Sequence, residues 1–174
     1  MKIFQKRAVS TRSYAWELLV KLEDHLGEEG ISQYLKTRTT GKNLFLLYSS
    51  DKGLCGGLNT KLFKALLASP QWQQTPPEER LIFTIGKKAL DFANYNKIPV
   101  KKSFKGVKEQ MSPIDALDLL KPILDAWDEG AVKNIFMIAP HYKSTLVFYP
   151  VVKTYLPVSP SMLQEQLRIS ENTP

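Results

Sequence analysis

From its start the chain sets Phe4, Ala8, Thr11, Ala15, Leu18, Leu22 and His25 at alternating steps of four and three. That period keeps one stripe of a helix turned toward a partner, so it predicts a single long helix with a coiled-coil seam. Leu19 and Leu26 widen the stripe toward the C-terminal end, where Gly27 and Gly30 supply stop signals. The narrow part near Phe4 and Ala8 suits a second helix; the broader part suits packing on the helix's own domain.

The pattern then changes to short apolar runs separated by turns. Leu44 to Tyr48 is apolar on both faces and reads as a buried strand, and Asn59 to Ala68 as a helix with Leu62, Phe63, Leu66 and Leu67 on one face. "SPQWQQTPPEE" reads as a proline-rich connector. A second unit of the same kind follows. "RLIFTIG" is its strand, "KKALDFANYN" a short helix bearing Leu90 and Phe92, and "IPVKKSF" a polar strand suited to a sheet edge.

Ser112, Pro113 and Asp115 mark a helix start, after which Ile114, Leu117, Leu120, Leu124 and Trp127 share one face. Pro122 should kink this helix and Gly130 should end it. "NIFMIAP" is another buried strand. "TLVFYPVVKTYLPV" is a longer extended one, carrying Val147, Tyr149, Val151 and Val152, with Pro150 marking a bulge or edge. Strands alternating with helices predict a three-layer, Rossmann-like α/β domain with a mostly parallel sheet and a long N-terminal helix. Ser161 begins a further helix.

The turn in "LFLLYSSDKGLCGGLN" sits between a buried strand and a helix, where open α/β sheets collect phosphate ligands. Its glycines fit neither phosphate-binding template. A Walker loop needs a second glycine five places after Gly53, where Leu58 stands, and the dinucleotide pattern meets Cys55 third and Leu58 sixth. Asp51 would also oppose a pyrophosphate, an effect Lys52 offsets in part. Two chemical uses of the turn stay open, an anion site at the helix start and a Cys55 thiol acidified by the helix end and Lys52. The plain reading is that the glycines let the backbone turn tightly against another surface.

Composition narrows the field. The 174 residues are 43% hydrophobic and 24% charged, with no apolar run near the ~20 residues a membrane helix needs. The N-terminal segment is interrupted by Arg12 and Glu17, unlike a secretory signal, and suits a reducing, cytoplasm-like compartment. With Cys55 as the single cysteine no internal disulfide can form, and a metal site would have to gather His25 and His141 from distant segments, so no metal is expected. Lys and Arg exceed Asp and Glu by 24 to 17, a net +7 that favours an acidic partner. Lys101, Lys102, Lys105 and Lys108 have only Phe104 among them, which reads as a guarded strand edge rather than a nucleic-acid platform. Asp115, Asp118 and Asp125 read as a solvated helix surface.

"DKGLCGGLN", Asp51 to Asn59, resembles the signature turn of F-type ATP synthase gamma subunits. "TRSYAWEL" is similar to the family's Arg-Pro-Tyr-Ala segment, with Ser13 in place of the proline. "VKNIFMIAPHYKSTLVFYPVVKTYLPV" resembles its strand, Lys-Ser turn and proline-containing strand, with Phe148 or Tyr149 where a glutamine is usual. Gamma subunits have further helical sequence before the equivalent of Phe4 and a long returning helix at the end. The resemblance therefore implies that this chain, natural truncation or engineered fragment, is the middle of such a protein, with a shaft helix at 1–30, a globular domain at 31–160 and the start of a second shaft helix at 161–174.

The resemblance also implies a mechanical role: a non-catalytic rotor subunit, without cofactor, carrying torque between the membrane rotor ring and the catalytic alpha and beta subunits beside the epsilon subunit. It would be a peripheral protein on the cytoplasmic face of a bacterial inner membrane or the organelle equivalent. The seam Phe4, Ala8, Thr11, Ala15, Leu18 and Leu22 would face the second shaft helix. Asp51, Lys52, Gly53, Leu54, Cys55, Gly56 and Gly57 would contact an acidic loop of the catalytic subunit. Lys52 would supply charge there, the glycines close approach and Cys55 a small packing residue. The residues themselves leave two rival classes, a small α/β nucleotide- or phosphate-binding enzyme and a basic nucleic-acid adaptor.

Overall fold

The computed structural model describes residues 33–50, 57–105, 113–144 and 147–158. The seam from Phe4 to Leu22, the tail from Ser161 onward and most of the glycine turn lie outside them. Five strands, β1 (Lys42–Tyr48), β2 (Arg80–Ile85), β3 (Val100–Phe104), β4 (Val132–Tyr142) and β5 (Phe148–Leu156), form one sheet in the order β3-β2-β1-β4-β5. β1 runs parallel to both β2 and β4, and β2 parallel to β3. β4 ends at Tyr142 and β5 begins at Phe148, a link too short for a parallel crossover, so β5 returns antiparallel. The sheet is thus mostly parallel, as the alternation of elements predicts.

The helices are α1 (Leu58–Ala68), α2 (Pro70–Gln74), α3 (Lys87–Tyr95) and α4 (Pro113–Asp128). The steps β1 to β2 and β2 to β3 move the same way across the sheet, so right-handed crossovers put α1 and α3 on one face. The return from β3 to β4 moves the opposite way and puts α4 on the other. Covered on both faces, central β1 must be apolar throughout, and Leu44, Phe45, Leu46 and Leu47 are all buried. Ring contacts of Phe45 with Trp72 at 4.9 Å and with Phe136 at 5.3 Å fix the α2 side of this core.

Several expectations need revision. The proline-rich connector contains α2, started by Ser69, whose hydroxyl accepts from the Trp72 amide, with Pro70 in the first turn. Leu67 is 40% exposed, because α1 turns Leu58, Leu62 and Leu66 inward instead. In α3 the fully buried residues are Ala89 and Ala93, small enough to bring the helix close to the sheet, while Leu90 and Phe92 stay partly exposed. Among the described side chains of α4, Ile123, Ala126 and Trp127 are buried, with Leu120 and Leu124 at their margin; those of Ile114 and Leu117 lie outside the described ones. Val147 belongs to the turn before β5: its carbonyl accepts from the amides of Lys143 at 2.8 Å and Ser144 at 3.2 Å. Gly130 ends α4 as expected, with φ 78° and its N–H donated to Trp127 O.

The N-terminal edge of the parallel strands is tied by two arginine–tryptophan clamps. Arg38 Nη1 donates to Trp127 O at 2.7 Å and Val132 O at 2.8 Å, and its guanidinium lies 3.7 Å over the Trp127 ring. Arg80 donates to Trp72 O from Nη2 at 2.8 Å and Nε at 3.2 Å, and sits 4.3 Å over the Trp72 ring. Each cation meets the carbonyl end of a helix, where the helix dipole favours it, and the flat face of an aromatic ring. Between the clamps runs a buried relay: Asn134 Nδ2 donates to Asn43 Oδ1 at 3.0 Å, Asn43 Nδ2 to Thr75 Oγ1 at 2.7 Å, and the Thr75 hydroxyl to Gln71 O at 2.6 Å.

The chain divides into two compact units. The larger, Arg38–His141 with Tyr149–Tyr155, holds the sheet and its four helices apart from strand ends. In the smaller, the Val158 amide donates to Tyr34 O at 2.9 Å.

Candidate functional site

Ligands of an open α/β sheet gather where strands end and helices begin, which directs attention to the C-terminal edge at β1 and β2. Two serines leave β1 there. The Ser49 amide donates to Ile85 O at 2.7 Å, extending the pairing of β1 with β2 by one residue. The Ser49 side chain then crosses to α3: its hydroxyl accepts from the Ala89 amide at 2.8 Å and donates to Ile85 O at 3.2 Å. Ala89 is the third residue of α3, so Ser49 performs, from 40 residues away, the task of a helix N-cap.

Gly86 explains why nothing closer does so. It precedes α3 with φ 98°, and a Cβ there would press against Ser49 O and stand 2.6 Å from Ser49 Oγ. Only a residue without a side chain lets β1 pass so near the helix start. The Gly86 N–H goes to Phe104 O at 2.8 Å, tying in β3 as well. The Gly86, Lys88 and Ala89 amides at the start of α3 are thus met by oxygens of the chain itself.

Ser50 begins the glycine turn and Asn59 lies just past its end. The Ser50 amide donates to Asn59 Oδ1 at 3.0 Å, and Asn59 Nδ2 donates to Ser50 Oγ at 3.0 Å. This two-bond clasp ties Ser50, at the end of β1, to Asn59, at the start of α1. Gly57 precedes α1 with φ 78° in the left-handed region, and among the described residues nothing comes within 4 Å of where its Cβ would be. Its role is conformational; the close approach expected of it would have to be to another surface. Asp51, Lys52, Gly53, Leu54, Cys55 and Gly56 lie outside the described residues, as does His25.

The remaining candidates are scattered. His141, near the end of β4, packs against Tyr149 with ring centroids 5.0 Å apart. Lys101 and Lys102 are exposed on β3, an edge strand, and a register shift at this point makes room for two successive outward lysines. Lys102 Nζ lies 5.7 Å from the Phe104 ring centre, and Lys105 is exposed beyond the strand. That arrangement fits the guarded-edge reading; Lys108 is outside the described residues. Asp118 and Asp125 are exposed on α4, as a solvated face requires. Among the described residues no three His, Cys, Asp or Glu side chains converge as a metal site would need, and no helix is long and apolar enough to cross a membrane.

Sequence reasoning passes over Ser49, Ser50 and Gly86. Their signal is present all the same: a pair of hydroxyl residues directly after one buried strand and a glycine directly after the next, at matching register.

A family model described as ATP synthase matches residues 1–173. The chain belongs to the F-type ATP synthase gamma family. Solved structures agree in fold. The rotor of the Euglena gracilis mitochondrial ATP synthase in rotational state 1 is similar with a TM-score of 0.52 and 17% identity, over 99% of this chain and 63% of that one. The central stalk and c-ring structure of the Tetrahymena thermophila mitochondrial enzyme gives 0.57 and 15%, over 89% and 72%. The Euglena assembly of OSCP, F1 and c-ring in rotational state 3 gives 0.53 and 15%, over 99% and 58%. This chain therefore spans less than two thirds of the Euglena chains, and at such identities the likeness is one of fold.

Proposed function

We propose that this chain is the globular part of a non-catalytic rotor subunit, which carries torque between a membrane rotor ring and the alpha and beta subunits of a proton-driven ATP synthase. The observation that carries the reading is the Ser49 hydroxyl 2.8 Å from the Ala89 amide. A Rossmann-like domain that bound nucleotide at α3 would keep that helix start open; here the Ser49 hydroxyl meets the Ala89 amide and the Ser49 carbonyl lies close beside Gly86, so main chain and side chain together close it. Family membership supplies the mechanical context.

In this reading residues 1–30 form part of the shaft, 31–160 the globular domain and 161–174 the beginning of the second shaft helix. Phe4, Ala8, Thr11, Ala15, Leu18 and Leu22 line the seam between the two. The turn Asp51 to Gly57 bears on the catalytic subunits, with Lys52 as its charged contact, and the epsilon subunit accompanies the domain. No cofactor takes part. The protein is peripheral, held at the cytoplasmic face of a bacterial inner membrane, or its organelle equivalent, through the complex.

Two measurements test this. Calorimetric titration of the chain with ATP, ADP and phosphate should give no heat of binding, and micromolar affinity with a matching rise in melting temperature would favour the rival enzyme reading instead. In the full-length subunit, assembled with its complex in vesicles, Lys52→Glu should lower proton-coupled ATP synthesis while melting of the isolated domain stays the same. Unchanged coupling would remove Lys52 from the contact.

A further inference from the structure

The outer surface of the α1 and α3 layer carries an apolar seam that the sheet does not need. Each helix already buries its own inner set, Leu58, Leu62 and Leu66 on α1 and Ala89 and Ala93 on α3. Phe63 and Phe92 lie on the facing flanks, partly exposed, and stack with centroids 4.4 Å apart at 17°. Both helices are crossover helices of parallel strands and so run the same way. Leu67, four residues after Phe63, and Tyr95, three after Phe92, therefore both fall one turn C-terminal to the stack. Leu67 is 40% exposed and Tyr95 88% exposed, the latter far more than a ring of its size gains by remaining in water.

The charges beside this seam are mostly basic. Lys64 is exposed on the outward side of α1, Lys88 lies one turn before Phe92 on the same flank, and exposed Lys97 follows α3 at φ 55°. α1 contains no acidic residue and α3 contains Asp91 alone. Two adjacent parallel helices, with a ring stack between them, exposed Leu67 and Tyr95 one turn on and lysines beside these, are the complement of a helix with leucines on one face and carboxylates on the flanks.

We propose that the α1/α3 seam is a docking groove for an acidic amphipathic helix of a partner protein, anchored on Leu67 and Tyr95 and oriented by Lys64, Lys88 and Lys97. Leu67 and Tyr95 lie toward the C-terminal ends of the two helices, whereas Lys88, whose amide donates to Ser50 O at 3.5 Å, lies at the end near the base of the glycine turn. A lipid surface fits less well, because the anchors form a narrow line instead of a plane.

The test uses the full chain and a fluorescein-labelled synthetic peptide of about 20 residues, with leucines at i, i+3, i+4 and i+7 and glutamates elsewhere. Fluorescence anisotropy should show saturable binding that weakens with salt and that falls roughly tenfold for the double variant L67E/Y95A. K64E/K88E should weaken it by a similar factor. Carbodiimide cross-linking to the unaltered chain should join the peptide to Lys64 or Lys88, a readout that does not depend on any variant folding. Absence of binding, equal binding of a scrambled peptide, or cross-links confined to Lys101, Lys102 and Lys105 would each overturn the proposal. So would binding to phosphatidylglycerol vesicles, lost in L67E/Y95A, without binding to the peptide.

Discussion

The two edges of the parallel sheet solve the same problem with different chemistry. At the N-terminal edge, helix carbonyl ends are met by Arg38 and Arg80, each stacked on a tryptophan of the helix it caps. At the C-terminal edge, the start of α3 is met by the neutral Ser49 hydroxyl, and the turn before α1 is closed by Ser50 and Asn59. The first edge combines charge, aromatic area and burial; the second rests on short neutral hydrogen bonds and a glycine contact. The difference separates a girder from a mount: the edge held by charge and aromatic rings is the one away from Ser50 and Asn59.

The largest expected effect tests the girder. Trp127 is fully buried and is also the platform for Arg38. Trp127→Ala should cost about 3–5 kcal/mol in urea unfolding, from the cavity and from an arginine left without its aromatic face. Arg38→Leu should cost less in the native background, and much less again in Trp127→Ala. If the two losses simply add, the clamp is not a unit.

Next comes Gly86. Its φ of 98° and the closeness of Ser49 O to the place a Cβ would take make alanine there both strained and crowded. Gly86→Ala should cost about 2–4 kcal/mol, with accelerated amide exchange at Ala89 and Ser49 while the Asn43 to Thr75 relay stays protected. Equal loosening at both edges would erase the distinction between them.

A pH ramp sharpens the comparison from the other side. β5 runs antiparallel, which brings Tyr155 back to the N-terminal edge, and burial pushes its phenol from 10.0 up to about 12. Above pH 10 the unfolded chain loses this proton while the folded chain keeps it, so stability falls as pH rises toward 12. The loss attributable to Tyr155 should be smaller than the ~2.7 kcal/mol that the whole change would carry, because the residue keeps some contact with water. Tyr155→Phe should flatten that part of the melting profile, and an unchanged slope would assign the alkaline loss elsewhere.

How much of the molecule is legible in its sequence follows from the range of each interaction. β1, β2 and β4 are marked by apolar runs whose meaning is local, and the edge position of β3 by its lysines. The inward face of α4 is harder to see, because leucines dominate the pattern where Ile123 and Ala126 do the packing: the face is set by what lies beneath it, and small residues carry little hydrophobic signal. Arg38 and Trp127 stand 89 positions apart and Ser49 and Ala89 40, so neither pairing leaves a periodic trace. The seam and the loop contacts rest on family resemblance, since a short turn has no pattern of its own from which a partner could be read.

The smallest effect bears on the mount. Ser49→Ala removes the acceptor for the Ala89 amide and should cost about 1 kcal/mol, the usual value of a helix cap. It also removes the hydroxyl that, among the described residues, accepts from the Ala89 amide at the start of α3. If the hydroxyl alone kept phosphate out, the variant should gain stability from added phosphate by mass action, and more than the parent does. It should not, because the Ser49 carbonyl, just past β1, lies so close beside Gly86 that a Cβ there would collide with it, and it remains there whatever the side chain. Melting curves of both proteins over a phosphate series decide the matter: parallel curves mean the edge is closed by the path of the main chain, and diverging curves mean that a single hydroxyl separates a bearing from a binding site.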